Sequence, residues 1–174
     1  MKQVILKCYT PIILFFGMLL DGQLSTIMES ITKNHYFTLS NLTLLLFLIG
    51  AKNLSKSYII FLALIIGCFY DSYFTGIFGI NMFLYPLFTY WFIRFKKTIN
   101  KNILTQLASF IIAFTSYQIL LMLMQIIFNL AKVNFILFIV STLGPSILFN
   151  ILLFLIFIWP FRFLFCVKNS TLSS

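Results

Sequence analysis

The sequence predicts an all-α integral membrane protein with six transmembrane helices and both termini in the cytoplasm. Three observations predict it. The 174 residues are 61% hydrophobic and only 9% charged, whereas a soluble domain carries about a quarter charged residues. That much apolar surface needs lipid as its solvent. Six apolar runs divide the chain, at residues 9–27, 37–51, 57–74, 77–93, 104–129 and 135–165. The cations gather in alternate connections between those runs.

The connections set the orientation. Lys2 and Lys7 precede the first run, Lys52 and Lys56 follow the second, and Arg94, Lys96, Lys97 and Lys101 follow the fourth. Arg162 and Lys168 close the sixth, so ten cations fall on one side against Lys33 and Lys132 on the other. Positive connections stay in the cytoplasm, and a missed span would break the alternation. The net charge of +9 is therefore a topology signal, and no nucleic-acid partner is expected. Trp91 and Trp159 sit just before Arg94 and Arg162, at the expected inner interface, where indole rings prefer to lie.

The first run follows two lysines as in a signal peptide. It lacks a small-residue cleavage site and ends at Asp21–Gly22, so a retained span is expected. The second run, 15 residues, makes only about 22 Å of helix against about 30 Å of hydrocarbon. It needs thinned lipid or help from its flanks. The third and fourth runs form a hairpin turning at residues 71–79. The sixth run is too long for one span and contains Gly144–Pro145. Pro145 suits the first residue of a span reaching residue 165 and ended by Pro160, which leaves 135–143 as a separate segment at the outer surface. Residues 1–167 are read as one six-helix transmembrane domain and 168–174 as a short polar cytoplasmic tail. No internal repeat, linker or low-complexity tract is visible.

The polar residues inside the runs are the candidate sites. Asp71 lies about one turn inside the outer end of the third run. A carboxylate there must be paired, hydrogen-bonded or hydrated. It is either a helix-terminal cap for backbone N–H groups around residues 75–77 or a binding site facing the bundle interior. Gly67, four residues earlier on the same face, lets a neighbouring helix approach closely. Gly76 and Gly79 suit a tight turn and close packing. Asp21 has Gly17 four residues before it, so the spacing Gly-x-x-x-Asp occurs twice. Two acids with no third ligand and no nearby histidine do not make a metal site. Gln118 and Gln125, seven apart, share a helix face with Asn129 beyond; they are either helix glue or the lining of a solute pocket. Asn150 is the amide of the sixth run. Tyr85 and Tyr117 lie deep and need hydroxyl partners. His35 reads as a solvated loop residue. Cys8, Cys68 and Cys166 form no pair or cluster and read as apolar side chains. One histidine and three acids leave general acid–base chemistry almost nothing to work with, so no enzyme, cofactor or catalytic residue is expected.

The hairpin segment GCFYDSYFTGIFGINMFLYP resembles the signature of the MreD family of rod-shape-determining membrane proteins. The resemblance lies in Gly67, Tyr70, Asp71, Gly76 and Gly79, with Pro86 at the segment's end and a weaker echo in Asn150, Pro160 and Arg162. It implies a multi-pass protein of the bacterial cell membrane, a non-enzymatic scaffold of the cell-wall elongation machinery. The implied partners are MreC, a single-span protein, and the RodA glycosyltransferase with its class B penicillin-binding partner, with MreB as a further candidate. The family is similar in fold to substrate-binding subunits of energy-coupling-factor transporters. A vitamin-transport subunit is accordingly the rival reading, with Asp21, Asp71, Tyr73 and Gln118 lining a pocket.

Overall fold

A computed structural model describes residues 2–32, 37–99, 101–128 and 135–165. All regular structure among them is helical. Helix α1 spans Lys2–Ile31, α2 Leu42–Asn53 and α3 Lys56–Tyr70, which widens into a π turn over Asp71–Thr75. Then follow α4 (Ile80–Arg94), the short α5 (Lys96–Ile99) and α6 (Ile103–Ile127). Helix α7 (Phe135–Leu137) passes through a second π turn, Phe138–Leu143, into α8 (Gly144–Phe165). Lys33, His35, Asn129, Lys132, Cys166 and the 168–174 tail lie outside the described residues.

Four helical stretches are long and apolar enough to cross a membrane: Cys8–Ile31, Lys56–Phe74, Ile103–Ile127 and Phe135–Pro160. The expected second and fourth runs are shorter. Helix α2 has 12 residues and α4 has 15, or about 18 and 22 Å. The second differs most from expectation, because residues 37–41 are not helical.

The shortest of these helices is the centre of the molecule. Residues Leu42–Ala51 of α2 are all buried, and α2 packs against α1, α8, α4, α3 and α6. A helix that is apolar all round must be kept from water, either in a protein core or in lipid; LTLLLFLIGA has no polar face to offer water, and its packing places it in the core. Around it α3 pairs with α4, and α6 with α8. Aromatic rings fill the junction of α2, α4 and α6. Phe47 meets Tyr85 at 5.4 Å, and Tyr85 stacks on Tyr117 at 5.7 Å with 11° between planes.

The 135–143 stretch corrects the expectation of a separate surface segment. It runs straight into α8, and Gly144 keeps right-handed helical angles. Pro160 likewise does not end α8, which continues to Phe165. The π turn explains how Pro145 is accommodated. Proline cannot donate to the carbonyl four residues back and its ring crowds that carbonyl. Here that carbonyl is Ser141 O, and it accepts instead from the Phe37 N–H at 3.0 Å. The proline thus leaves an acceptor for the non-helical segment 37–41.

Candidate functional site

The two carboxylates are used alike. Neither α2 nor α4 is capped by the side chain of its own N-cap residue: Asn41 makes no cap hydrogen bond, and Gly79 has no side chain to offer. In each case the preceding long helix supplies an aspartate. Asp21 Oδ1 accepts from the Leu42 N–H (2.5 Å) and the Ser40 hydroxyl (2.7 Å), and Oδ2 from the Thr43 N–H (2.8 Å). Asp71 Oδ1 accepts from the Asn81 N–H (3.0 Å) and side-chain amide (2.8 Å). Its Oδ2 accepts from the N–H groups of Gly79 and Met82, both at 3.0 Å. Both aspartates are buried. Oriented N–H groups and the positive end of a helix dipole replace water around each charge.

At Asp71 the glycine four residues earlier makes this geometry possible. A Cβ on Gly67 would stand 2.5 Å from the Asn81 carbonyl oxygen and 2.7 Å from the Met82 Cα. The first turn of α4 therefore rests directly on the backbone of α3, one turn below the carboxylate that caps it. On Gly17 a Cβ would meet the Leu46 side chain at 2.3 Å. The neighbouring helix that the Gly67 face admits is α4. Gly76 and Gly79 hold positive φ values of 66° and 112° with nothing near an added Cβ. Their role is conformational, and the close packing expected of them is absent. The two caps lie toward one end of the bundle, since Gly22, beside Asp21, sits against the Phe74 ring, three residues beyond Asp71.

The amides of Gly79, Asn81 and Met82, which donate to Asp71, lie a few residues beyond positions 75–77, where the sequence places the partners of a cap. Within the π turn the Gly76 N–H closes back on the Asp71 carbonyl at 2.8 Å. Asn81, absent from the expected site, ties the cap to the core. Its side-chain oxygen accepts from the Tyr117 hydroxyl at 2.5 Å. This gives Tyr117 the partner it needs. The Tyr85 hydroxyl sits against Tyr117 short of a well-formed hydrogen bond. Tyr70 packs edge-on against Tyr85 at 5.6 Å, and Pro86 lies within α4 beside it.

Asn150 belongs to the Asp21 end. Its side chain accepts from the Asn41 N–H at 2.9 Å and donates to the Leu39 carbonyl at 2.7 Å. Ser146, one turn earlier, accepts from the Leu39 N–H at 2.8 Å. Ser25 accepts from the Ser40 N–H at 2.9 Å and donates to the Asp21 carbonyl at 2.8 Å. The non-helical segment 37–41 is thus held by side chains of α1 and α8. Ser25, Ser40 and Ser146 were not singled out from sequence, because a serine gives no signal until its neighbours are known.

The α6 amides separate. Gln118 is buried, and its Nε2 has no hydrogen-bond partner among the described residues. Gln125 is exposed, so the shared face extends beyond the part of α6 that its neighbours cover. Gln106, another buried amide of α6, was missed. No group of three potential metal ligands occurs among the described residues. With both carboxylates engaged by backbone amides, the arrangement holds helices in place.

Residues 2–168 match the family model described as rod shape-determining protein MreD. No curated protein and no solved structure matches the chain.

Proposed function

Because the chain belongs to the rod shape-determining protein MreD family, which implies a role in rod shape determination, we propose that it acts as a non-enzymatic membrane scaffold. In this reading it binds an MreC-like single-span protein and supports RodA and its class B penicillin-binding partner in peptidoglycan synthesis, with MreB as a further partner. The carrying observation is the engagement of both buried acids as helix caps. A carboxylate that accepts from oriented backbone amides is an anchor, and a bundle so anchored offers fixed outer faces to a partner.

We place it in the bacterial plasma membrane as a six-span protein with cytoplasmic termini. The ten-to-two division of cations supports this orientation. The second span is α2 with the five non-helical residues before it. Non-helical backbone at membrane depth is tolerated where protein satisfies it, and Ser25, Ser141, Ser146 and Asn150 do so here. The vitamin-transport reading asks Asp21, Asp71, Tyr73 and Gln118 to line one pocket. The two acids are instead bound to backbone, and Tyr73 is 71% exposed.

The test is purification from native membranes in mild detergent, with mass spectrometry of proteins and small molecules together. Recovery of a single-span coiled-coil protein and cell-wall synthases, without a metabolite, supports the scaffold. Recovery of a bound vitamin or an ATPase pair overturns it.

A further inference from the structure

At the end of the bundle where α4 meets α5, an apolar groove opens onto a cluster of cations. The groove, about 460 Å³, runs between α4 and α6 and is lined by Leu87, Phe88, Ile112, Ser116 and Leu120 among others. Its volume falls within the roughly 300–1,000 Å³ of small-ligand sites. A second hollow of about 400 Å³ adjoins it, lined by Lys56, Arg94, Lys96 and Lys97. Tyr90, Arg94 and Phe95 line both, so the two lie side by side. No carboxylate lines either one, and all four cations are exposed. The chain has only three acids, and Asp21 and Asp71 are occupied as caps.

We propose that this groove binds one anionic phospholipid. Its phosphate would lie among Arg94, Lys97 and Lys56, and an acyl chain would lie between α4 and α6. The chemistry of the two hollows is that of such a lipid: an apolar trough about 10 Å long from Leu87 to Arg94, ending in uncompensated positive charge. Trp91, which also lines the trough, belongs to the residue type that marks the headgroup level. Basic pockets between membrane helices attract anionic headgroups, with each nearby cation strengthening the attraction. A zwitterionic lipid would bring a positive charge into the same cluster and bind less well. The inference rests on membrane insertion alone and is independent of which proteins the scaffold binds.

The test is native mass spectrometry of the purified full chain after equilibration in micelles holding equal amounts of dioleoylphosphatidylglycerol and dioleoylphosphatidylcholine. The wild-type protein is expected to retain phosphatidylglycerol about 10-fold or more over phosphatidylcholine. The double variant Arg94→Gln/Lys97→Gln keeps Lys96 and Lys101 as orientation signals and should lose that preference. Ser116→Trp, which fills the trough, should lose retention of both lipids while its melting temperature stays near wild type. Equal retention of the two lipids by the wild type, or an undiminished preference in the double variant, overturns the proposal. So does a photo-crosslinker at Tyr90 that captures protein rather than lipid in native membranes.

Discussion

At the scale of single residues, the two aspartates make the strongest predictions. Asp71→Asn keeps the size of the side chain but turns a donor toward the Gly79 and Met82 N–H groups, which now find an acceptor in Oδ2. Hydrogen bonds to a charged group contribute about 1.5–3 kcal/mol each. The variant should therefore lose about 3 kcal/mol or more, read as a lower melting temperature of the purified protein in detergent. Tyr117→Phe removes one bond, to Asn81, and should lose only about 1 kcal/mol. An equal effect from both would mean that the carboxylate acts chiefly through Asn81. The intramembrane position of Asp71 and Asp21 was legible in the sequence because a charge among apolar residues stands out. Their partners were not. The N–H groups they accept from carry no side-chain signature, and Asn81 and Ser40 are ordinary polar residues until the next helix docks.

At the scale of elements, the capped hairpins divide the glycines into two kinds. Gly67→Ala places a methyl against the backbone of Asn81 and Met82, which cannot swing aside. It should force α4 off α3 and destabilise by about 2–4 kcal/mol. Gly76→Ala meets open space and should lose only the roughly 1 kcal/mol of a left-handed alanine. Thermal melting of the two variants side by side checks the order. A different readout tests the π turn before α8. Pro145→Ala restores an N–H that competes for the Ser141 carbonyl, so the Phe37 amide should exchange hydrogen faster. Unchanged exchange at Phe37 would show that the proline does not set this contact. The spacing Gly-x-x-x-Asp was visible twice in the sequence, yet its meaning needed the structure. In each copy the aspartate caps the following helix, and at Gly67 the glycine also admits that helix's backbone, whereas Gly17 meets the Leu46 side chain.

At the scale of the whole molecule, the proposed binding of a single-span partner depends on the caps. Asp71→Leu or Gly67→Leu should still insert, because the apolar runs are intact, but should bring down less of the single-span partner on co-purification. Both variants disturb the seat of α4 rather than an exposed surface, so partner loss should follow the loss of melting temperature across the series. Undiminished co-purification from a clearly destabilised variant would show that the partner reads a face independent of the hairpin.

The sequence by itself determined the class and the family. Hydrophobic composition requires lipid or burial whatever the tertiary arrangement, and the hairpin signature is contiguous along the chain. Runs 57–74 and 104–129 came close to the observed Lys56–Phe74 and Ile103–Ile127, because a long apolar stretch has few alternatives to a helix. Only the tertiary structure decided which helix sits at the centre. In a membrane protein, core and lipid-facing residues are equally apolar, so periodicity cannot separate them. Only packing shows that α2, the shortest of the expected spans, is enclosed while longer helices face outward. The non-helical segment 37–41 escaped the sequence for a related reason. Its apolar and small polar residues read as the start of a helix. What turns them away from one is hydrogen bonding to Ser146 and Asn150, more than a hundred residues along the chain.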